Sequence, residues 1–232
     1  GRLAHHLGVP ERRFAIIPNG ADHVLRPIGD KGVVKRFGLP SDGYFLSVGN
    51  QSPNKNLAKL VAAHERAGPQ VPALAIVGGS ANGVEHLGLQ PSARLHMLGR
   101  VDDAALRSLY EHAAGFIFPS LYEGFGIPPL EAMMLGTPVL AANRTAMPEI
   151  LEDGVEWFDP TSVEDMAAGL VRLSDMSDTA LRDLTDRGRR IAERFTWERS
   201  AQLLGQQVLS LKMTKSNAGR VAQPKDARRL RK

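Results

Sequence analysis

Glu123 and Glu131 are two carboxylates eight residues apart, separated by a glycine loop and two consecutive prolines. Short apolar runs of strand length flank this stretch, at 115–118 and 139–142. A strand, a glycine loop, a helix and a second strand together place a phosphate at the helix N-terminus, where backbone N–H groups have no partner within the helix. The stretch therefore predicts a site for an anionic ligand between the two runs.

The two prolines indicate where the helix of this stretch begins. Pro128 and Pro129 suit a first helical turn, so the helix should start near Ile127. Glu131 then falls one turn inside the helix, and Glu123 stays in the loop. The loop glycines allow a ligand to approach the backbone closely. Taken alone, the two carboxylates also fit a solvated loop acid and an acid favoured by the helix dipole.

The elements that must position these residues alternate along the chain. Strands are predicted at 14–17, 44–49, 73–77, 94–98, 115–118, 139–142 and 157–158. Further helices are predicted at 30–37, 56–67, 102–114, 162–173, 179–194 and 196–211, with Asp102 or Asp103 as N-cap of the third. This alternation indicates an α/β fold, a doubly wound, Rossmann-like parallel sheet with helices on both faces.

Composition excludes several classes of protein. The chain has 232 residues and no cysteine, which rules out disulfides, thiol catalysis and cysteine-bound zinc and is compatible with the cytosol. No apolar run approaches the roughly 20 residues of a membrane span, and no signal peptide is visible at the start. The net charge of +4 arises in residues 212–232, where eight basic residues and one acid give +7 and leave −3 for the rest. A nucleic-acid-binding domain would carry its basic face on the folded body, so no nucleic-acid partner is expected.

Short motifs follow one another in a fixed order between residue 14 and about residue 212. Together they resemble the C-terminal half of a retaining glycosyltransferase of the GT-B fold, family 4 (group 1, mannosyltransferase-like). Besides the stretch 123–131, the motifs are Ile17-Pro-Asn-Gly-Ala-Asp22, Ser47-Val-Gly-Asn50 with Lys55-Asn56, Val77-Gly-Gly79, Leu98-Gly-Arg-Val101, Gly136-Thr-Pro-Val139, Asn143-Arg-Thr-Ala-Met-Pro-Glu149, Phe158-Asp-Pro160 and Trp197-Glu-Arg199.

The resemblance implies a role for each matching residue. It implies that Glu123 contacts the donor sugar, that Glu131 accepts hydrogen bonds from both ribose hydroxyls, and that Lys55 neutralises the donor diphosphate. The backbone at Arg100 and Val101 lies where the family holds the base. Further donor contacts are implied for Gly49, Asn50, Gly124, Phe125, Gly126 and Ile127.

Asn50 departs from the family pattern. Many members carry an arginine five residues before the lysine, where it shares the diphosphate, and Asn50 offers a hydrogen bond without a charge. Diphosphate binding is therefore expected to be weaker, or supplied with an arginine from elsewhere. The resemblance implies no metal or cofactor, because cationic side chains and the helix dipole replace the ion.

The domain organisation expected from the resemblance has four parts. Residues 1–28 end an interdomain linker, 29–195 form the nucleotide-sugar donor-binding domain, 196–212 form a closing helix, and 213–232 form a basic tail. The chain opens without methionine inside a helix-like segment, so it is expected to be a fragment that supplies the donor site and transfers nothing alone. The acceptor, a glycan or lipid-linked glycan, would bind an N-terminal domain.

The function implied is transfer of a hexose, with retention, from a nucleotide-diphosphate sugar to an acceptor hydroxyl in polysaccharide or glycolipid assembly. GDP-mannose is the first choice of donor, and a UDP-sugar is the second. A sugar-nucleotide epimerase or hydrolase and a non-catalytic nucleotide-sugar-binding module remain alternatives. The expected location is the cytoplasm, with peripheral contact at the inner face of the membrane as a further expectation. The basic tail is expected to be a solvated extension, and contact with anionic lipid is the alternative.

Overall fold

The computed structural model describes residues 2–79 and 93–218. Its centre is a parallel sheet of six strands: β1 (Tyr44–Val48), β2 (Ala73–Val77), β3 (Leu95–Gly99), β4 (Gly115–Phe118), β5 (Val139–Ala142) and β6 (Glu156–Phe158). The strand order is β3-β2-β1-β4-β5-β6, and every neighbouring pair is parallel. The predicted doubly wound α/β class is therefore confirmed.

Helices connect the strands and flank the sheet. Their bounds are α1 (Arg2–Leu7), α2 (Val33–Arg36), α3 (Leu57–Ala67), α4 (Asp103–Glu111), α5 (Ile127–Met134), α6 (Met147–Leu151), α7 (Val163–Ser174), α8 (Asp178–Ala192) and α9 (Trp197–Ala218). Asp102 caps α4, because its carboxylate accepts the backbone N–H of Ala105 at 2.8 Å. No helix in the described part of the chain is long and apolar enough to cross a membrane.

Both faces of the sheet are buried, as its parallel strands require. Successive residues of β4 alternate between two apolar clusters, with Phe116 and Phe118 in one and Ile117 in the other. β1 alternates in the same way, and the hydroxyl of its Tyr44 donates to the carbonyl of Leu109 at 2.8 Å. Because both faces of these strands are buried, neighbouring residues along each strand are mostly apolar. This explains the continuous apolar runs in the sequence.

Two predicted elements differ from the structure. The strand expected at 14–17 is wrong: these residues belong to none of the six strands of the sheet, and Ile16 is 88% exposed. Four consecutive apolar residues therefore do not suffice to place a segment in a sheet. The helix expected at 30–37 is restricted to Val33–Arg36, and α6 was not predicted. The loop after β2 lies largely outside the described residues, as does the basic tail beyond residue 218.

The chain separates into two compact units. The larger unit, residues 19–197, contains the whole sheet and every residue predicted to bind a ligand. The smaller unit combines residues 1–18 with 198–232, and within it the hydroxyl of Ser200 donates to the carbonyl of Pro18 at 2.5 Å. The candidate site is accordingly a property of the larger unit.

Asn56 joins three loops at the carboxyl edge of the sheet. Its side chain is buried, and its amide nitrogen donates to the carbonyls of Pro119 at 3.2 Å and Pro160 at 2.9 Å. Those prolines follow β4 and β6, and Asn56 itself follows β1. Its backbone is left-handed, with φ of 57°, a conformation that asparagine tolerates better than most residues. One side chain therefore fixes the relative positions of three loops.

We expect Asn56→Gly to lower the free energy of unfolding by about 1–3 kcal/mol, because two buried carbonyls lose their donor. Glycine adopts the left-handed backbone conformation without strain, so the loss of stability measures the hydrogen bonds of the Asn56 amide. The measurement is urea unfolding of the chain. Asn54→Ala is the matched control, because the side chain of Asn54 is exposed two residues away. Equal stability of both variants would contradict the prediction.

Candidate functional site

The candidate site lies where β1 and β4 are neighbours in the sheet. The chain continues from β1 to β2 and β3 on one side and from β4 to β5 and β6 on the other, so the loops after β1 and β4 diverge at the carboxyl edge of the sheet. The space between these two loops is called the crevice. The backbone N–H of Leu121, after β4, donates to the carbonyl of Asn54, after β1, at 2.8 Å. Ligands of open parallel sheets bind at such a point, outside the carboxyl ends of the strands.

Lys55 and Glu123 meet across this crevice. The Nζ of Lys55 lies 2.5 Å from Oε1 of Glu123, and the two side chains are 21% and 18% exposed. The amine also lies 5.8 Å from the ring centroid of Phe118, at the end of β4. The structure thus brings together a predicted diphosphate-binding cation and a predicted sugar-binding carboxylate, although they are 68 positions apart in the sequence.

Close backbone packing surrounds the stem of Lys55. A Cβ atom added to Gly49 would lie 3.4 Å from the Lys55 side chain. Gly78 has a φ of +113°, and a Cβ atom there would overlap the carbonyl oxygen of Gly49. Glycine at position 78 is therefore required both by its backbone conformation and by the approach of the loop after β1.

The side chain of Asn50 accepts hydrogen bonds within its own loop and carries no charge. Its side-chain oxygen accepts the backbone N–H of Ser52 at 3.2 Å and also accepts the Ser52 hydroxyl. Lys55 is the one cationic residue in the sequence of this loop, from 49 to 56. The positive charge available to an anion on this side of the crevice therefore comes from Lys55.

The predicted start of the helix is confirmed at Ile127, which is half-buried. Gly126 precedes it in the left-handed conformation, with φ of +88°. A Cβ atom added to Gly124 would meet nothing within 4 Å, so the backbone there borders open space. Phe125 turns away and packs edge-to-face on Phe195, with ring centroids 5.6 Å apart. The loop before α5 is therefore anchored at Phe125 and open at Gly124.

Glu131, one turn into α5, is a buried carboxylate with a defined partner on each oxygen. The hydroxyl of Tyr110 donates to Oε2 at 2.9 Å, and Nε2 of His23 lies 2.8 Å from Oε1. Burial raises the pKa of Glu131, the hydrogen bonds from Tyr110 and His23 oppose that rise, and the charge of Asp103 adds to it. An ionised carboxylate offers about four acceptor positions, so about two remain for a ligand.

Tyr110 and His23 are site residues that the sequence did not reveal. Tyr110 is fully buried within α4, and a buried tyrosine hydroxyl usually has a hydrogen-bond partner. A tyrosine on the apolar face of a predicted helix is the only hint of this that the sequence contains. His23 is 108 positions from Glu131 and stands in a short 3-10 turn, so no local pattern connects them. The indole N–H of Trp197 donates to Nδ1 of the same histidine at 3.2 Å.

Thr145 supports the loop of Glu123 from the end of β5. Its hydroxyl oxygen accepts the backbone N–H of Glu123 at 3.2 Å. Thr145 has a φ of 54°, which is uncommon for a β-branched residue and carries a conformational cost. The position of Glu123 is therefore stabilised from two sides, by Lys55 and by the loop after β5.

The remaining predicted residues, Arg100 and Val101, follow β3. Val101 packs against the core, and Arg100 is exposed and forms no hydrogen bond or ion pair with the described residues. The structure does not bring either residue into contact with the Lys55–Glu123 pair. Among residues 2–79 and 93–218, no group of three or more histidine, aspartate or glutamate side chains is arranged to hold a metal ion.

A second concavity, of about 380 Å³, lies at the carboxyl ends of β5 and β6. Its charged side chains already have partners. Arg144 lies 3.5 Å from Asp159, and Asp165 accepts the backbone N–H of Asp159 at 2.7 Å. Its lining residues belong to β6, to the loops after β5 and β6 and to α7, and Lys55, Glu123 and Glu131 are not among them.

Several known proteins are similar to this chain in sequence and in fold. O-antigen chain mannosyltransferase B of Escherichia coli is 34% identical over 176 residues, which are 72% of this chain and 45% of that protein. The MMP alpha-(1->4)-mannosyltransferase of Mycolicibacterium hassiacum is 41% identical over 45% of this chain and 26% of that protein. Sucrose-phosphate synthase from Thermosynechococcus elongatus superposes with a TM-score of 0.72 at 26% identity, over 86% of this chain and 53% of that one.

The chain spans less than half the length of these two curated relatives. A family model for the glycosyl transferases group 1 matches residues 35–190, which include both carboxylates, the lysine and all six strands. The match agrees with the motifs of the sequence and with the geometry at the carboxyl ends of β1 and β4. The chain belongs to the group 1 glycosyltransferases.

Proposed function

We propose that this chain binds the nucleotide-diphosphate sugar of a retaining hexosyltransferase, with GDP-mannose as first choice. The observation that carries the proposal is the crevice between the loops after β1 and β4. There the Lys55–Glu123 pair stands beside the N-terminus of α5, and Glu131 lies one turn inside that helix. A cation, a helix N-terminus and a carboxylate with unused acceptor positions match a diphosphate followed by a ribose.

The diphosphate is the group whose charge grows during the reaction. When the bond from the sugar to the donor phosphate breaks, negative charge develops on the leaving diphosphate. The amine of Lys55 and the backbone N–H groups at the start of α5 stabilise that charge. In the proposed retaining mechanism, the acceptor hydroxyl attacks the sugar carbon from the face that the diphosphate leaves, and the departing phosphate oxygen takes up the proton of that hydroxyl. Glu123, already in contact with Lys55, contacts the sugar.

Glu131 is proposed to bind the ribose. Tyr110 and His23 each occupy one acceptor position of its carboxylate. About two acceptor positions remain, which is the number needed to bind the two vicinal hydroxyls of a ribose. Glu131 must be ionised to accept both hydroxyls. Burial raises its pKa, so acidification should weaken nucleotide binding at a higher pH than it would with an ordinary glutamate.

Mannose is proposed as the sugar because both curated relatives named above are mannosyltransferases. The acceptor is proposed to be a growing glycan, free or lipid-linked, and the reaction a step of polysaccharide assembly, as the name of the Escherichia coli relative suggests. The proposed place of the reaction is the cytoplasmic face of the membrane. Metal independence is proposed because Lys55 and the helix N-terminus supply the positive charge.

We expect Lys55→Ala to weaken binding of GDP or UDP by about 10- to 100-fold, because a charge-assisted contact to the diphosphate is lost. Isothermal titration calorimetry on the purified chain measures the change. Binding of guanosine or uridine, which carry no phosphate, should change little. Lys35→Ala is the control, since Lys35 is an exposed lysine on α2. An unchanged diphosphate affinity in Lys55→Ala would contradict the assignment.

We expect Glu131→Gln to weaken binding of GDP or UDP by about 10-fold and to reduce the preference for ribose over 2′-deoxyribose. The amide has one acceptor oxygen where the carboxylate has two, so the hydroxyl contacts cannot all be kept. Calorimetry with GDP, UDP and their 2′-deoxy forms tests this. Glu164→Gln is the control, because the Glu164 side chain is 66% exposed. Equal ribose preference in Glu131→Gln and the unchanged chain would exclude a ribose role.

We expect a chelator to leave the affinity for GDP and UDP unchanged. The reason is that the proposed contacts to the diphosphate come from an amine and backbone N–H groups and need no bridging ion. Calorimetry in EDTA and in magnesium, on the same preparation, makes the comparison. Tighter binding by tenfold or more in magnesium would overturn metal independence.

A further inference from the structure

The environment of His23 defines which of its ring nitrogens carries the proton. The indole N–H of Trp197 is a donor only and points at Nδ1 from 3.2 Å. Nδ1 must therefore accept, and the neutral ring carries its proton on Nε2. That nitrogen lies 2.8 Å from Oε1 of Glu131 and donates to it. A chain of donors thus runs from Trp197 through His23 to the carboxylate.

The two partners of Glu131 differ in how firmly they are held. Tyr110 is fully buried in α4 and reaches Oε2 from within the core. The His23 side chain is 41% exposed, in a 3-10 turn far from α5 in sequence, and it borders a small concavity shared with Glu131. Tyr110 alone would leave the carboxylate free to rotate about its last torsion, because one hydrogen bond does not fix a plane. The contact from His23 to Oε1 is the second contact, and together the two contacts fix the plane of the carboxylate.

We propose that His23 is a positioning residue for nucleotide binding, which holds the carboxylate of Glu131 so that its two unused acceptor positions face the ribose hydroxyls. The proposal rests on the proposed function, because it needs a ribose at Glu131. His23 acts through Glu131 and not on the reacting atoms. Trp197 is a remoter member of the same chain, since it orients the imidazole.

The charged groups around His23 fit this role. Glu131 faces it from α5, and Asp103 from α4 lines the same concavity. Asp22 precedes it and accepts the backbone N–H of Trp197 at 2.8 Å. Arg107, also on α4, donates to the carbonyls of Leu25 and Pro27 and so fastens the turn that carries His23. The turn is therefore tied on both sides of the histidine.

The test compares variants that keep or remove the Nε2 donor. We expect His23→Leu to weaken GDP or UDP binding by about 10-fold and to shrink the preference for ribose over 2′-deoxyribose. His23→Gln keeps an N–H donor of similar reach and should restore most of both. Trp197→Phe should shrink the preference less. His112→Gln is the control, since His112 is exposed and, among the described residues, its ring bonds to the carbonyl of Ser108 one turn before it.

Calorimetry with GDP, UDP and their 2′-deoxy forms separates the outcomes. If Glu131→Gln loses the ribose preference and His23→Leu keeps it, the role of His23 is wrong and the proposed function stands. If Glu131→Gln keeps the preference, the ribose assignment itself fails. If His23→Leu does not fold, His23→Gln and Trp197→Phe decide: an unchanged ribose preference in Trp197→Phe, together with a lost one in His23→Gln, overturns the proposal.

Discussion

The amide of Asn56 is the interaction on which the candidate site depends. The carbonyls of Pro119 and Pro160 lie past the ends of their strands, where no neighbouring strand pairs with them, and burial makes an unpaired carbonyl costly. A single buried amide satisfies both and thereby sets the spacing of three loops. Lys55 immediately precedes it in the chain, so the same contact holds the backbone from which the lysine side chain extends. The pair with Glu123 follows from the packing of the loops.

Glu131 shows how the fold supports a buried acid. Burial alone would favour its protonated form, which accepts fewer hydrogen bonds. Tyr110 and His23 offset part of that cost and restrict the direction of the carboxylate at the same time. In the proposed complex, the ribose would meet acceptors that are already oriented, and little ordering of the protein would be needed on binding. Thr145 likewise holds the Glu123 loop in place through its hydroxyl oxygen. Its own backbone is left-handed, a conformation with an energetic cost for a β-branched residue.

Much of this arrangement was predictable from the sequence, because buried parallel strands are continuous apolar runs. The strands at 73–77, 115–118 and 139–142 have the predicted bounds, and the helix begins at Ile127 as the two prolines indicate. The strand predicted at 14–17 is wrong because a run of four apolar residues can also occur in an exposed segment outside the sheet. Composition alone does not distinguish the two cases. The contacts of Asn56 and His23 join residues that are distant in sequence, and only the folded sheet brings them together.

The pair of Lys55 and Glu123 has a consequence for how a ligand would arrive. One positive and one negative charge 2.5 Å apart form a neutral unit, so its field fades within a few ångströms of the crevice. A charged ligand approaching this pair would feel little long-range attraction from it, and ionic strength would change the rate of encounter only slightly. In the proposed complex, the diphosphate would replace the carboxylate of Glu123 at the amine of Lys55, and Glu123 would become free to contact the sugar. Binding of the anion and exposure of the carboxylate would then occur in one step.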